Sequence, residues 1–216
     1  MIKKLMRALA FASTMGIAQA AVLLQEDFDD VPALMEPGSG WIFRNLSVPP
    51  GIAPGWVQGN PEPFEAHEGA PNAYIASSFQ SAAPGGVLND QLFTPLFSLT
   101  NGAVATFWLR GANDPGFSDI VIYGYSNGAT DPGVFIESMT VTAPVDQWTM
   151  YTLTIAPQAD MMARLGFVHA GLEATSSYVG LDTLRIATLP AGVPEPASLM
   201  ILGIGMAGLT LARRRR

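Results

Sequence analysis

Short runs of β-branched and aromatic residues recur along this chain, separated by turn residues. The clearest lies at 148–155, where Tyr151, Leu153 and Ile155 alternate with Thr152 and Thr154. A period of two puts the first three side chains on one face and the threonines on the other, as in a half-buried strand. Similar runs predict strands over 22–28, 74–78, 104–110, 120–125, 135–140, 164–169 and 178–186. Between them stand Asn113-Asp114-Pro115-Gly116, Ser126-Asn127-Gly128 and Asp131-Pro132-Gly133, all with turn chemistry. No amphipathic helix of three turns interrupts the series. Strands of this number and spacing predict an all-β chain built as a two-sheet sandwich. Residues 29–73 read differently. Pro32, Pro37, Pro49, Pro50, Pro54, Pro61, Pro63 and Pro71 crowd that segment and predict long Pro/Gly-rich loops around the sandwich.

The two ends break the pattern. Lys3, Lys4 and Arg7 precede an apolar run over 8–17, and Ala18-Gln19-Ala20 follows. Small residues at Ala18 and Ala20 are what a signal peptidase reads, so 1–20 is expected to be a signal helix removed after Ala20. At the other end, Val193-Pro194-Glu195-Pro196 is followed by an apolar stretch over 197–212 and by Arg213, Arg214, Arg215 and Arg216. Sixteen helical residues rise about 24 Å, short of a ~30 Å hydrocarbon core. Four arginines at one end favour a membrane helix over a buried one, because they anchor at the cytoplasmic surface and can snorkel. The expected organisation is a signal peptide at 1–20, a sandwich domain at 21–190, and a tail at 191–216 with a transmembrane segment at 197–212. Gly203-x-Gly205-x-x-Gly208 has the letters of a dinucleotide fingerprint but no βαβ unit after it, and reads as small residues for helix packing.

Charge follows this division. The chain holds 11 basic and 18 acidic residues. Seven of the basic residues lie in the two ends, leaving Arg44, Arg110, Arg164 and Arg185, and no lysine, against seventeen acids between 21 and 192. A net charge of −13 over that region repels phosphate backbones and argues against nucleic acid as a partner. The chain has no cysteine, so no disulfide framework supports the exported domain.

The motif, apolar segment and arginine cluster at the C-terminus resemble the PEP-CTERM sorting signal of exported bacterial proteins. The resemblance implies processing by a membrane protease of the exosortase type. It also implies delivery to the cell envelope or extracellular matrix in cells that make exopolysaccharide. A second resemblance runs from 24 to 187. It rests on Glu26-Asp27-Phe28, Trp56, Ala66-His67-Glu68-Gly69, Asn89 to Pro95, Ala105 to Arg110, Leu165 to His169 and Gly180 to Ile186. Together these are similar to the choice-of-anchor J or cleaved-adhesin type of domain. That implies a jelly-roll sandwich on a secreted surface protein, in some members with carbohydrate-binding character and structural calcium. The family's terminal strand carries two adjacent acids, whereas here Asp182 is followed by Thr183.

Several residues are candidates for chemistry. If the first and last strands adjoin, Glu26 and Asp27 approach Asp182 and supply part of a calcium cage, which needs six to eight oxygens. Trp41 and Trp56, in the proline-rich loops, are candidates for a sugar-stacking platform or for caps on the open end of the sandwich. Trp108 reads as core. His67 and His169 lack zinc-site spacing; His169 reads as a strand histidine with a hydrogen-bond partner. No Gly-x-Ser-x-Gly motif is present. The reading is therefore a non-catalytic binding or structural module, with extracellular polysaccharide as the expected partner. The competing reading is a polysaccharide hydrolase using two surface carboxylates.

Overall fold

The structure is a computed structural model and describes residues 20–190. The signal segment with Ala18, the motif Val193-Pro194-Glu195-Pro196, the apolar stretch and Arg213 to Arg216 lie outside the described residues. Residues Ala21–Leu189 form one compact unit.

The chain opens with β1 (Val22–Glu26) and the single-turn α1 (Val31–Leu34). Four short strands follow: β2 (Ile42–Asn45), β3 (Val48–Pro50), β4 (Val57–Gln58) and β5 (Ile75–Ser78). The middle of the chain gives β6 (Ala82–Phe93), β7 (Phe97–Ser98), β8 (Ala103–Gly111) and β9 (Ile120–Ser126). It ends with β10 (Glu137–Thr142), β11 (Thr149–Ile155), β12 (Met162–Leu172) and β13 (Tyr178–Ala187). One sheet runs β11-β8-β13-β5-β4, with β1 also on β13. The other runs β10-β9-β12-β6-β2, with β3 on β6 and β7 on β12. All the pairings are antiparallel.

Alternation places the core. On β8, Ala103, Ala105, Phe107, Leu109 and Gly111 are buried, while Val104, Thr106, Trp108 and Arg110 face outward. On β11, Leu153 and Ile155 are buried, whereas Thr152 and Thr154 are exposed. The inward faces of the two sheets meet at Phe107, whose ring lies edge-on to Tyr123 and Phe167, both at 4.9 Å. Each such ring, once fully buried, stabilises the fold by about 1.5–3 kcal/mol. On the other face of β12, Gly166 makes room for the paired rings of Phe93 and Phe135, because a Cβ there would stand 2.6 Å from the first and 2.7 Å from the second.

All eight expected strands are present, but β6 was missed. Pro84-Gly85-Gly86 reads as a break, and Asn89, Asp90 and Gln91 read as polar, yet the strand runs through both as the neighbour of β12. Residues 29–73 are not loop alone either. They contribute α1, β2, β3 and β4.

Candidate functional site

Four side chains meet between the sheets. Nδ1 of His169 on β12 lies 2.9 Å from Oγ of Ser77 on β5, and its Nε2 lies 3.0 Å from Oδ1 of Asp119. Oγ of Ser77 is hydrogen-bonded in turn to Oδ2 of Asp90 on β6. All four residues are buried, and buried polar groups persist where they are partnered. Asp119 also accepts the backbone N–H groups of Ser177 and Tyr178, at 2.8 and 3.2 Å. The network therefore ties one sheet to the other and fixes the turn that enters β13. Burial raises the Asp90 carboxyl above its usual range, and the Ser77 hydroxyl donates to it.

The order acid, histidine, serine matches that of a hydrolytic triad. Ser77, however, is only 1% exposed and its hydroxyl is held by Asp90. No substrate carbonyl reaches it, so the network acts as a support.

What it supports is one wall of an open cleft of about 490 Å³. The cleft lies between the loop from Ala53 to Pro63, the turn Ser78-Phe79-Gln80, the Ala112 to Asp114 segment, and Ser177 with Tyr178. Phe79 is pinned by its N–H, which donates to the Ser177 carbonyl at 2.7 Å, while its ring stays 38% exposed. The hydroxyl of Ser177 donates to Oδ2 of Asp114 at 3.1 Å. The N–H of Asn60 donates to the Tyr178 hydroxyl at 3.0 Å, and that hydroxyl lies 3.3 Å from the Tyr74 hydroxyl. Burial raises both phenols, so both stay protonated. Gly59 lets the loop close, since a Cβ there would stand 2.4 Å from the Tyr74 ring.

The Gln58 amide is spent on the frame: it accepts from Val31 N–H and donates to the Phe28 and Asn72 carbonyls. Oδ1 of Asp114 and the side-chain amides of Gln80 and Asn60 remain toward solvent; within the described residues the two amides donate to no partner. A second hollow of about 370 Å³ adjoins across Phe79 and Gln80, over Pro50, Ile52, Ala82 and Pro84. Phe79 is the ridge between the two. An aromatic and aliphatic floor with a few amides and one carboxylate is chemistry that holds a sugar ring, apolar face down and hydroxyls outward.

The sequence pointed elsewhere for stacking. Trp56 is 2% exposed and its Nε1–H donates to the Asp90 carbonyl at 3.1 Å. Trp41 is buried edge-on against Phe28 at 5.8 Å. Neither offers a free face, so both belong to the core; of the two readings open for them, the stacking platform is not formed. Trp108 is corrected in the opposite direction. It stands half-buried on the outward face of β8, where the His67 ring stacks on it at 3.8 Å. Trp148 is half-buried too, and its Nε1–H donates to the Glu65 carbonyl at 2.9 Å.

β1 and β13 do adjoin, with Glu26 opposite Leu184. The three carboxylates nevertheless point to different partners. Glu26 accepts from the Phe28 N–H at 3.0 Å, and Asp27 accepts from the Gln25 amide at 3.4 Å. Asp182 is buried at a register break, where Thr183 takes φ 48°. Its Oδ2 accepts the N–H groups of His67 and Glu68, at 2.7 and 3.3 Å, and its Oδ1 that of Thr183 at 2.6 Å. Burial pushes this carboxyl up to about 6. N–H donors stand where calcium needs oxygens, and no group of three His, Asp or Glu among the described residues is arranged to hold a metal ion.

The chain enters and leaves this domain at one pole. The N–H of Thr188 donates to the Ala21 carbonyl at 2.8 Å, and the Ala21 N–H donates to Oγ1 of Thr188 at 2.9 Å. Beyond it lies the tail. Residues 192–216 carry a PEP-CTERM protein-sorting motif. No curated protein matches the chain. The K1 cleaved adhesin domain of Lys-gingipain from Porphyromonas gingivalis W83 is similar at TM-score 0.58 and 20% identity, over 77% of this chain and 98% of that one. The K3 domain of the same protein is similar at 0.56 and 19%, over 78% and 99%. A carbohydrate-binding module solved with β-1,4-galactotriose is similar at 0.48 and 13%, over 70% and 90%. The domain thus has the fold of cleaved adhesin domains, a jelly-roll-like sandwich. No helix among the described residues is long and apolar enough to cross a membrane.

Proposed function

We propose that this is an exported, exosortase-sorted protein of the cell envelope or extracellular matrix whose sandwich is a non-catalytic glycan-binding module. The PEP-CTERM motif supports the sorting. The observation that carries the binding reading is the cleft itself, with the Phe79 ring exposed between two hollows and free amides beside it. Its position fits that role. Tyr178 begins β13 and Ala187 ends it, so the cleft lies about 30 Å from the pole where the chain leaves for its tail. On this reading signal peptidase removes 1–20, an exosortase-type protease acts at Val193 to Pro196, and the apolar stretch over 197–212 holds the chain in the membrane, with Arg213 to Arg216 on the cytoplasmic side, until processing.

The test is retention of the full chain on immobilised extracellular polysaccharide. Phe79→Ala and Gln80→Ala, both at exposed positions that line the cleft, are expected to weaken retention while leaving the melting temperature near that of the parent. Equal retention of parent and variants would remove the cleft from this role.

A further inference from the structure

We propose that the cleft selects uncharged glycans and excludes polyanionic ones such as uronates and sulfated polymers. This rests on the binding reading above and narrows its ligand.

The argument is where the cations are. Binding a carboxylate or sulfate calls for an arginine fork or a lysine at the site. Residues 21–192 contain no lysine and four arginines. Arg44 is held at the far side of the other sheet, donating to the carbonyl and hydroxyl of Thr130 at 2.9 and 2.6 Å. Arg164 donates to the carbonyls of Gly40 and Thr94. Arg110, on the outward face of β8, lies 4.8 Å over the Phe64 ring in a cation–π contact. Arg185 is seven residues along β13 from Tyr178, roughly 23 Å away. None of the four lines the cleft.

An anion entering the cleft would instead meet the carboxylate of Asp114, with Glu173 in the adjoining hollow, on a domain of net charge −13. Like charges at this range repel. A neutral sugar meets complementary groups. Its hydroxyls donate to Oδ1 of Asp114 and accept from the amides of Asn60 and Gln80, while its C–H face covers Phe79. The cleft therefore reads hydroxyl pattern and apolar face, and rejects charge.

The experiment is calorimetric titration of the full chain in a sugar-free detergent, since glucoside and maltoside headgroups would compete. The probes are neutral gluco-, galacto- and manno-oligosaccharides, polygalacturonate and a sulfated galactan. At least one neutral series is expected to bind, with affinity falling about tenfold or more in Phe79→Ala. Neither polyanion is expected to bind at 0.15 M salt. Asp114→Lys, a change on an exposed turn, is expected to admit polygalacturonate with an affinity that declines as salt rises. Tight polyanion binding by the parent, weakened by Phe79→Ala, would overturn the selectivity and leave the binding reading standing. Binding of neither class would overturn both.

Discussion

Oγ of Ser77 on β5 and Nδ1 of His169 on β12 lie 2.9 Å apart, and this contact joins the two sheets beside the cleft. Through Asp119 the same ring sets the backbone of Ser177 and Tyr178. Replacing His169 with leucine strands Ser77 and Asp119 without their partner in a buried site. The expected loss of stability is about 3 kcal/mol. His67→Ala removes a half-exposed ring stacked on Trp108 and is expected to cost about 1 kcal/mol. Urea titration at pH 7 compares the two. A smaller loss for His169→Leu than for His67→Ala would show that the buried network is not what ties the sheets.

Three carboxyls give the fold a pH dependence of defined sign. Burial raises Glu26, Asp90 and Asp182, the last from 3.8 to about 6. Between those values the folded state keeps a proton on Asp182 that the unfolded chain has lost. That contribution to stability is complete below about pH 4 and is lost as pH rises through 6. Three N–H donors favour the ionised form and moderate it, so the decline attributable to Asp182 is on the order of 1–2 kcal/mol. The melting temperature is expected to be higher at pH 5 than at pH 7.5, and Asp182→Asn to flatten that difference. A melting temperature that climbs steadily from pH 5 to 7.5 would contradict it.

How far the sequence carries the fold is seen strand by strand. The period of two on β11 is written in Tyr151, Leu153 and Ile155, and burial follows it. β8 carries the same signal, and applied strictly it would have put Trp108 outside with Thr106 and Arg110. Hydrophobicity alone assigned Trp108 to the core and misled. β6 was hidden because its polar residues find partners within the fold, Asp90 in the buried network and Gln91 on Asn89. Asp90 is fully buried because Ser77 partners it, and Ser77 is remote in sequence. Trp41 and Trp56 failed as a platform for a related reason, since a proline-rich segment was read as surface although it folds into the core. The cleft was not legible at all. Phe79, Asn60, Asp114 and Tyr178 come from four separate segments, and nothing local marks a residue that tertiary contacts leave exposed.

Calcium provides a test of the carboxylates at the β1–β13 junction. Both oxygens of Asp182 accept N–H groups, and Glu26 and Asp27 bond to their own neighbours. Millimolar calcium is accordingly expected to leave the melting temperature unchanged relative to EDTA. A rise that Asp182→Asn abolishes would restore a cation site there and require the His67-Glu68 loop to turn its N–H groups away.

The sorting motif makes the last prediction. Pro194 and Pro196 flank Glu195, and proline fixes its own φ while holding the preceding residue extended. Glu195 is the one acidic residue of the tail, which suits a protease that reads one charge between two prolines. In the native host, Glu195→Ala is expected to leave full-length protein in the membrane fraction, while the sandwich folds as before. Glu195→Asp keeps the charge one methylene shorter and is expected to be processed in part. Immunoblotting of membrane and released fractions reads the outcome. Processing of Glu195→Ala at the parental rate would mean that the prolines, or the apolar stretch and arginines behind them, carry the recognition instead.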